Sequence, residues 1–125
     1  MTDPDLAALQ GVWRQVGLEA DGVVDPPDME GAEGALTTFA GETFTVRTPD
    51  GHVVLAGSFI LDATTTPRSV TWIDSMGPDA GKQLPASYVL DSDRLLFIAA
   101  NEGDPRPTVF RTGPGQTMRT FVRVR

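Results

Sequence analysis

The chain has no cysteine and a single histidine, His52. Without a thiol there can be no disulfide, no zinc-thiolate or iron-sulfur site and no cysteine nucleophile. One imidazole cannot supply the two or three ligands of a histidine-based zinc or iron centre, so neither a metal nor a cofactor is expected. Long apolar runs are also missing, and no stretch approaches the ~20 residues of a membrane span. Basic residues are few, 10 against 17 acidic ones, giving a net charge of -7. That field repels phosphate backbones and anionic lipid headgroups, so no nucleic acid and no membrane is expected as a partner. The first 25 residues have neither a basic start nor an apolar run of seven, do not read as a secretion signal, and lead to the expectation of a soluble, cytoplasmic protein.

What is present describes a compact folded unit. A length of 125 residues fits one domain spanning 1–125, and the 40% apolar content is enough for a core. A domain of this size buries about two-thirds of the surface its unfolded chain exposes. Thirteen glycines and ten prolines are scattered along the chain, as in a polypeptide that turns often. Ten of the 17 acids lie in residues 1–50 and five of the ten bases lie between Arg106 and Arg125, which suggests that the two ends neutralise each other in space.

Residues 3–9 read as a short helical turn, with Asp3 as cap and Pro4 at the first helical position. From Val12 onward the pattern changes to short runs rich in Val, Thr, Phe, Ile and Leu, broken by Gly, Pro, Asp and Asn clusters. Eight such runs occur, at 12–18, 36–40, 43–47, 53–61, 69–74, 87–90, 95–100 and 118–125. Residues 108–111 form either a further short pairing segment or the lead into the last strand. Nearly every connection suits an antiparallel hairpin and is too short for a parallel crossover. The exception is the acidic loop at 25–35, which contains Pro26-Pro27. Eight hairpin-linked strands can close into an up-and-down barrel without exposed edges. In the last run Met118, Thr120, Val122 and Val124 alternate with Arg119, Phe121, Arg123 and Arg125, so one side is wet and the other dry. The run 53–61 is apolar on both faces, which implies a cover over part of the barrel's outside, either the short helix or another subunit.

The opening Leu9-Gln10-Gly11-Val12-Trp13 resembles the start of lipocalin-type (calycin) barrels. The rest of the chain is similar to a narrower group, the small lipocalin-like domains first catalogued as an uncharacterised planctomycete domain and also found in actinobacteria. The residues that carry the likeness are Phe39-Ala40-Gly41-Glu42-Thr43-Phe44-Thr45-Val46, Gly57-Ser58-Phe59-Ile60-Leu61-Asp62 and Thr66-Pro67-Arg68. Gly77-Pro78-Asp79-Ala80-Gly81-Lys82, Tyr88-Val89-Leu90-Asp91-Ser92-Asp93-Arg94-Leu95 and Arg106-Pro107-Thr108 with Phe110 complete it. The group carries a cysteine where Leu96-Phe97 stand here, so a role tied to that thiol is not carried over. The resemblance implies a closed eight-stranded barrel and no particular activity. It also implies a structural contact, an arginine of the last strand over the Gly-x-Trp indole, with Arg123 as the candidate and Arg119 or Arg125 as alternates.

Several motifs reduce to turns. Gly77 to Lys82 has three residues between its glycines and Gln83 after the lysine, which fails the phosphate-loop pattern. No Gly-x-Ser-x-Gly elbow accompanies His52, which reads as an exposed turn residue. Asp91/Asp93 and Asp3/Asp5 lack the glycine and distal glutamate of a calcium loop and read as turn and cap residues.

The barrel interior is the remaining candidate, because eight strands leave room either for packed side chains or for one small ligand. Phe44, Phe59, Trp72, Tyr88, Leu95 and Phe97 form its aromatic and apolar set, and strand parity places Trp72 on one face with Val70 and Asp74. Tyr88 is the polar handle, bonded either to a ligand or to a backbone carbonyl. Asp74 is either an inward carboxylate at the mouth, suited to acid-base work, or a strand-ending residue. The expected function is binding of a small apolar molecule in the barrel, with Tyr88, Trp72, Phe44, Phe59, Phe97 and Asp74 as the ligand-binding set. Two other classes remain open at this level. One is a cofactor-free cyclase or isomerase acting on a hydrophobic substrate by proximity and exclusion of water. The other is an interaction module with a filled barrel, which could form a homodimer through the run 53–61.

Overall fold

The computed structural model describes residues 4–24, 35–77 and 80–124. The expected cap Asp3, the acidic loop at 25–34 with Pro26-Pro27, the pair Pro78-Asp79 and the alternate Arg125 lie outside the described residues. Helix α1 (Pro4–Leu9) begins at the proline whose fixed φ suits a first helical turn. The strands follow as β1 (Gly11–Ala20), β2 (Val23–Val24), β3 (Leu36–Ala40), β4 (Thr43–Arg47) and β5 (Val53–Asp62). Then come β6 (Arg68–Asp74), β7 (Gln83–Leu90), β8 (Arg94–Ala100) and β9 (Gln116–Arg123).

From β3 to β9 each strand pairs antiparallel with the next, β1 pairs with β3, and β9 returns to β1. The result is a closed eight-stranded antiparallel barrel, as the run-and-turn pattern implied. Strand β2 stands outside the ring, paired only with the end of β1. A bulge between Gln15 and Gly17 lets β1 turn along β9.

The two ends of the barrel differ. The β3–β4, β5–β6 and β7–β8 hairpins gather at one end together with α1, whose Leu6 and Leu9 pack into the core. The β1–β2, β4–β5, β6–β7 and β8–β9 connections gather at the other. Inside, a continuous cluster runs through Trp13, Phe39, Phe44, Phe59, Val70, Tyr88, Leu95, Phe97 and Phe121.

Outside, the cover over the sheet is the β8–β9 connection, residues 101–115. Arg106 donates to the Val70 and Ala86 carbonyls, and Ser87 Oγ donates to the Pro107 carbonyl, so Ile98 and Ser87 are sealed although they face away from the core. The helix does not cover β5: its Val53 and Ile60 remain 45% and 57% exposed. Residues 108–111 form bends and no strand.

Strand β7 starts at Gln83, earlier than its proline suggests. Its ladder with β8 begins only at Ala86, so Pro85 stands where it needs no N–H toward that neighbour. On β9 the arginine-bearing side is the inner one, where Phe121 is buried and Arg123 lies against Trp13. Two of the C-terminal arginines serve the barrel itself, since Arg106 and Arg123 bond main-chain carbonyls. Of the early acids, Asp5 pairs with Arg68 in mid-chain, and Glu19 lies in the field of Arg111.

Candidate functional site

Trp72 is the centre of the interior. On β6 it pairs with Phe59 of β5 on one side and Leu84 of β7 on the other, so its indole points across the lumen. Phe44 stacks on it with centroids 3.8 Å apart, Phe97 tilts against it at 4.9 Å, and Phe59 and Phe39 follow at 6.3 Å. Phe39 also meets Phe59 edge-on at 5.4 Å. Such offset and edge contacts are the favoured aromatic geometries. Phe44 reaches Trp72 because Gly57 is its partner across β5. A Cβ at Gly57 would come within 2.8 Å of the Phe44 ring and 2.0 Å of the Ile73 carbonyl oxygen.

Asp74 shares the face of Trp72, as period-2 alternation requires. The indole Nε1 donates to Asp74 Oδ1 at 2.9 Å, and the carboxylate is buried. Arg119 enters the same lumen from β9, where it stands between Phe97 of β8 and Leu18 of β1, both buried. Burial pushes its guanidinium below the usual arginine value, and the negative charge of Asp74 acts in the opposite direction.

Tyr88 serves the other end. Its phenol donates to Asp5 Oδ2 at 2.7 Å, and Arg68 donates to the same oxygen at 3.0 Å while lying over the Tyr88 ring. This triad ties α1 to β6 and β7. The alternatives of a ligand or a backbone carbonyl thus give way to a carboxylate 83 residues away. Beside it, Trp13 Nε1 donates to the Leu9 carbonyl at 2.8 Å and Arg123 lies over the indole at 4.2 Å. The helix end of the barrel is therefore closed by side chains already bonded to one another.

The structure brings Trp72, Phe44, Phe59, Phe97 and Asp74 into one cluster and assigns the hydroxyl of Tyr88 to the helix. Leu95 belongs to the same core. As lumen residues Phe39 and Arg119 escaped the sequence reading, which named Arg119 only as an alternate to Arg123 over Trp13. Phe39 is the cross-strand partner of Phe44 in a tight hairpin, a pairing that the five-residue spacing around Gly41 encodes. Arg119 gave no signal beyond its alternation with Phe121.

Inner-wall residues toward the end opposite α1 are not fully buried. Val46, Leu55 and Trp72 pack against the core yet are only partly buried. Leu61 and Leu90, toward the helix end, are partly buried in the same way, and the inner wall presents apolar and aromatic side chains together with a carboxylate and a guanidinium. Outside the barrel, the β8–β9 connection encloses an open groove of about 440 Å³ between Ala100, Arg106, Val109, Arg111 and Gln116, and none of the candidate residues lines it.

His52 is exposed and meets Asp50 at 3.2 Å within one hairpin. Among the described residues no three of His, Cys, Asp and Glu stand close enough to hold a metal ion. Nor, among them, is any helix long and apolar enough to cross a membrane. No protein-family model, curated protein or solved structure matches the chain. The lipocalin-like reading therefore rests on the closed antiparallel eight-stranded architecture.

Proposed function

We propose that this barrel binds a small, largely apolar molecule, admitted at the end opposite α1 and held against Trp72, Phe44, Phe59 and Phe97. A β-barrel can hold a ligand in its lumen. The single observation that supports this reading is that Trp72, the hub of the interior stack, keeps solvent contact while pointing inward. A packed plug would bury its hub completely, as Trp13 is buried at the other end. Exposed apolar area on a concave wall gains about 25 cal/mol per Å² when an apolar guest covers it. Asp74 polarises the indole edge and orients whatever polar atom the guest carries.

The test is a titration with the uncharged probe N-phenyl-1-naphthylamine. Saturable binding with energy transfer from tryptophan is expected. Trp72→Phe should weaken it about three- to tenfold, the range one aromatic contact supports. No saturable binding, or an affinity indifferent to Trp72→Phe, overturns the reading.

A further inference from the structure

The barrel holds an arginine that its own fold does not use. Arg68, Arg106 and Arg123 are partly buried and spend their N–H groups on Asp5, on the carbonyls of Val70 and Ala86, and on those of Gln10 and Ser92. Arg14, Arg47, Arg94 and Arg111 are exposed to water. Among the described residues Arg119 alone is neither exposed nor hydrogen-bonded, and no carboxylate oxygen lies within ion-pair distance of it. Among the described residues no sealed side-chain nitrogen lacks a partner, so the Arg119 nitrogens border space that a water-sized molecule reaches. That space is inside the barrel, because Arg119 shares the inner face of β9 with Phe121 and pairs with Phe97 and Leu18.

We infer that Arg119 is the recognition residue of the lumen and that the guest carries a single carboxylate, with its apolar body lying on the Phe97–Trp72–Phe44 wall. The inference rests on the binding reading above and names its ligand class. A guanidinium offers five donors in a planar fork that matches the two oxygens of a carboxylate, and it sits one cross-strand pair from the aromatic wall. The charge balance favours an anion over a neutral acceptor. Asp74, the one acid whose field Arg119 feels, already gives an oxygen to the Trp72 indole and does not reach the guanidinium. The same Asp74 disfavours a doubly charged phosphate, which it would repel twice as strongly as a monoanion.

The experiment uses two probes with one body, 1-pyrenebutyric acid and its methyl ester, at pH 8. The acid should bind about tenfold more tightly than the ester or better, the factor a charge-assisted pair supports. Arg119→Met should remove that preference by weakening the acid alone, while the ester stays within twofold. Asp74→Asn should raise the preference for the acid over the ester, a response that a purely structural arginine does not produce. Should Arg119→Met fail to fold, Arg119→Lys keeps the charge without the fork and should lose part of the preference. Equal binding of acid and ester, or a preference that survives loss of the guanidinium, overturns the carboxylate while leaving the apolar pocket standing. Binding of neither probe overturns the pocket itself.

Discussion

Arg123 lies 4.2 Å over the Trp13 indole, 110 positions away in sequence, and joins the last strand to the first. The same guanidinium donates to the Gln10 and Ser92 carbonyls at 3.1 and 2.9 Å, and to that of Ala8. One side chain thus fastens α1, the β7–β8 hairpin and the seam of the barrel. The ring contact contributes about 0.5–2 kcal/mol and each charge-assisted bond about 1.5–3 kcal/mol where desolvated. Arg123→Met should therefore cost about 3 kcal/mol and lower Tm by about 10 °C. Neutral-probe affinity should be unchanged, because the proposed pocket is at the other end. Thermal melts with and without probe check both statements.

Gly57→Ala should be among the most damaging single methyl additions. The new carbon would sit 2.0 Å from the Ile73 carbonyl oxygen, a backbone atom in a closed ladder that cannot swing aside, and 2.8 Å from the Phe44 ring. Overpacking of this kind costs about 3 kcal/mol or more. It should also disperse the Phe44–Trp72 stack, visible as a loss of near-ultraviolet circular dichroism. Gly17→Ala is the control: its added carbon meets Thr120 at 3.4 Å and should be nearly neutral.

The barrel was legible in the sequence because its strands are short, their turns are chemically marked, and alternation fixes which side chains share a face. Trp72 and Asp74 fell on one side by parity alone, and Arg123 was singled out correctly for Trp13. The remainder depended on contacts that carry no local period. Tyr88 finds Asp5 only once the helix has folded over the barrel end. Within residues 101–115 the sequence marks a turn at 111–115 and leaves 108–111 as either a pairing segment or the lead into the last strand, yet the whole connection covers Ile98 and Ser87 through bonds that irregular sequence does not announce. Arg119, an alternate to Arg123 for the Trp13 contact, stands instead between Phe97 and Leu18 on the inner face, a placement that no local pattern announces.

Tyr88→Phe separates the helix end from the proposed pocket. It removes the phenol that donates to Asp5 at 2.7 Å and leaves Arg68 on the same oxygen at 3.0 Å. The lost bond to a carboxylate should cost about 1.5–3 kcal/mol, lowering Tm by about 5–10 °C. Affinity for the neutral probe should stay within twofold. A fall in affinity comparable to that of Trp72→Phe would return Tyr88 to the ligand site.

Glu19 makes the β8–β9 connection sensitive to acid. Its Oε2 accepts from both the hydroxyl and the backbone N–H of Thr112 at 2.6 Å, and these bonds hold its carboxyl below the ordinary value of 4.5, with Arg111 adding a smaller pull the same way. Thr112 Oγ1 in turn accepts from the Gly22 N–H, so the carboxylate anchors the connection to the β1–β2 turn. A folded value below the unfolded one means that the ionised form favours the folded state. The contribution is complete above pH 4.5 and is lost as pH falls through the lower folded value. Glu19→Gln should remove that part of the acid dependence. The exchange protection of the Thr112 and Gly115 amides, taken relative to the intrinsic rate at each pH, should then fall at neutral pH to the level the unmutated protein shows only in acid. Exchange unchanged by the substitution would mean that Arg106 and Ser87 alone hold the connection against the barrel.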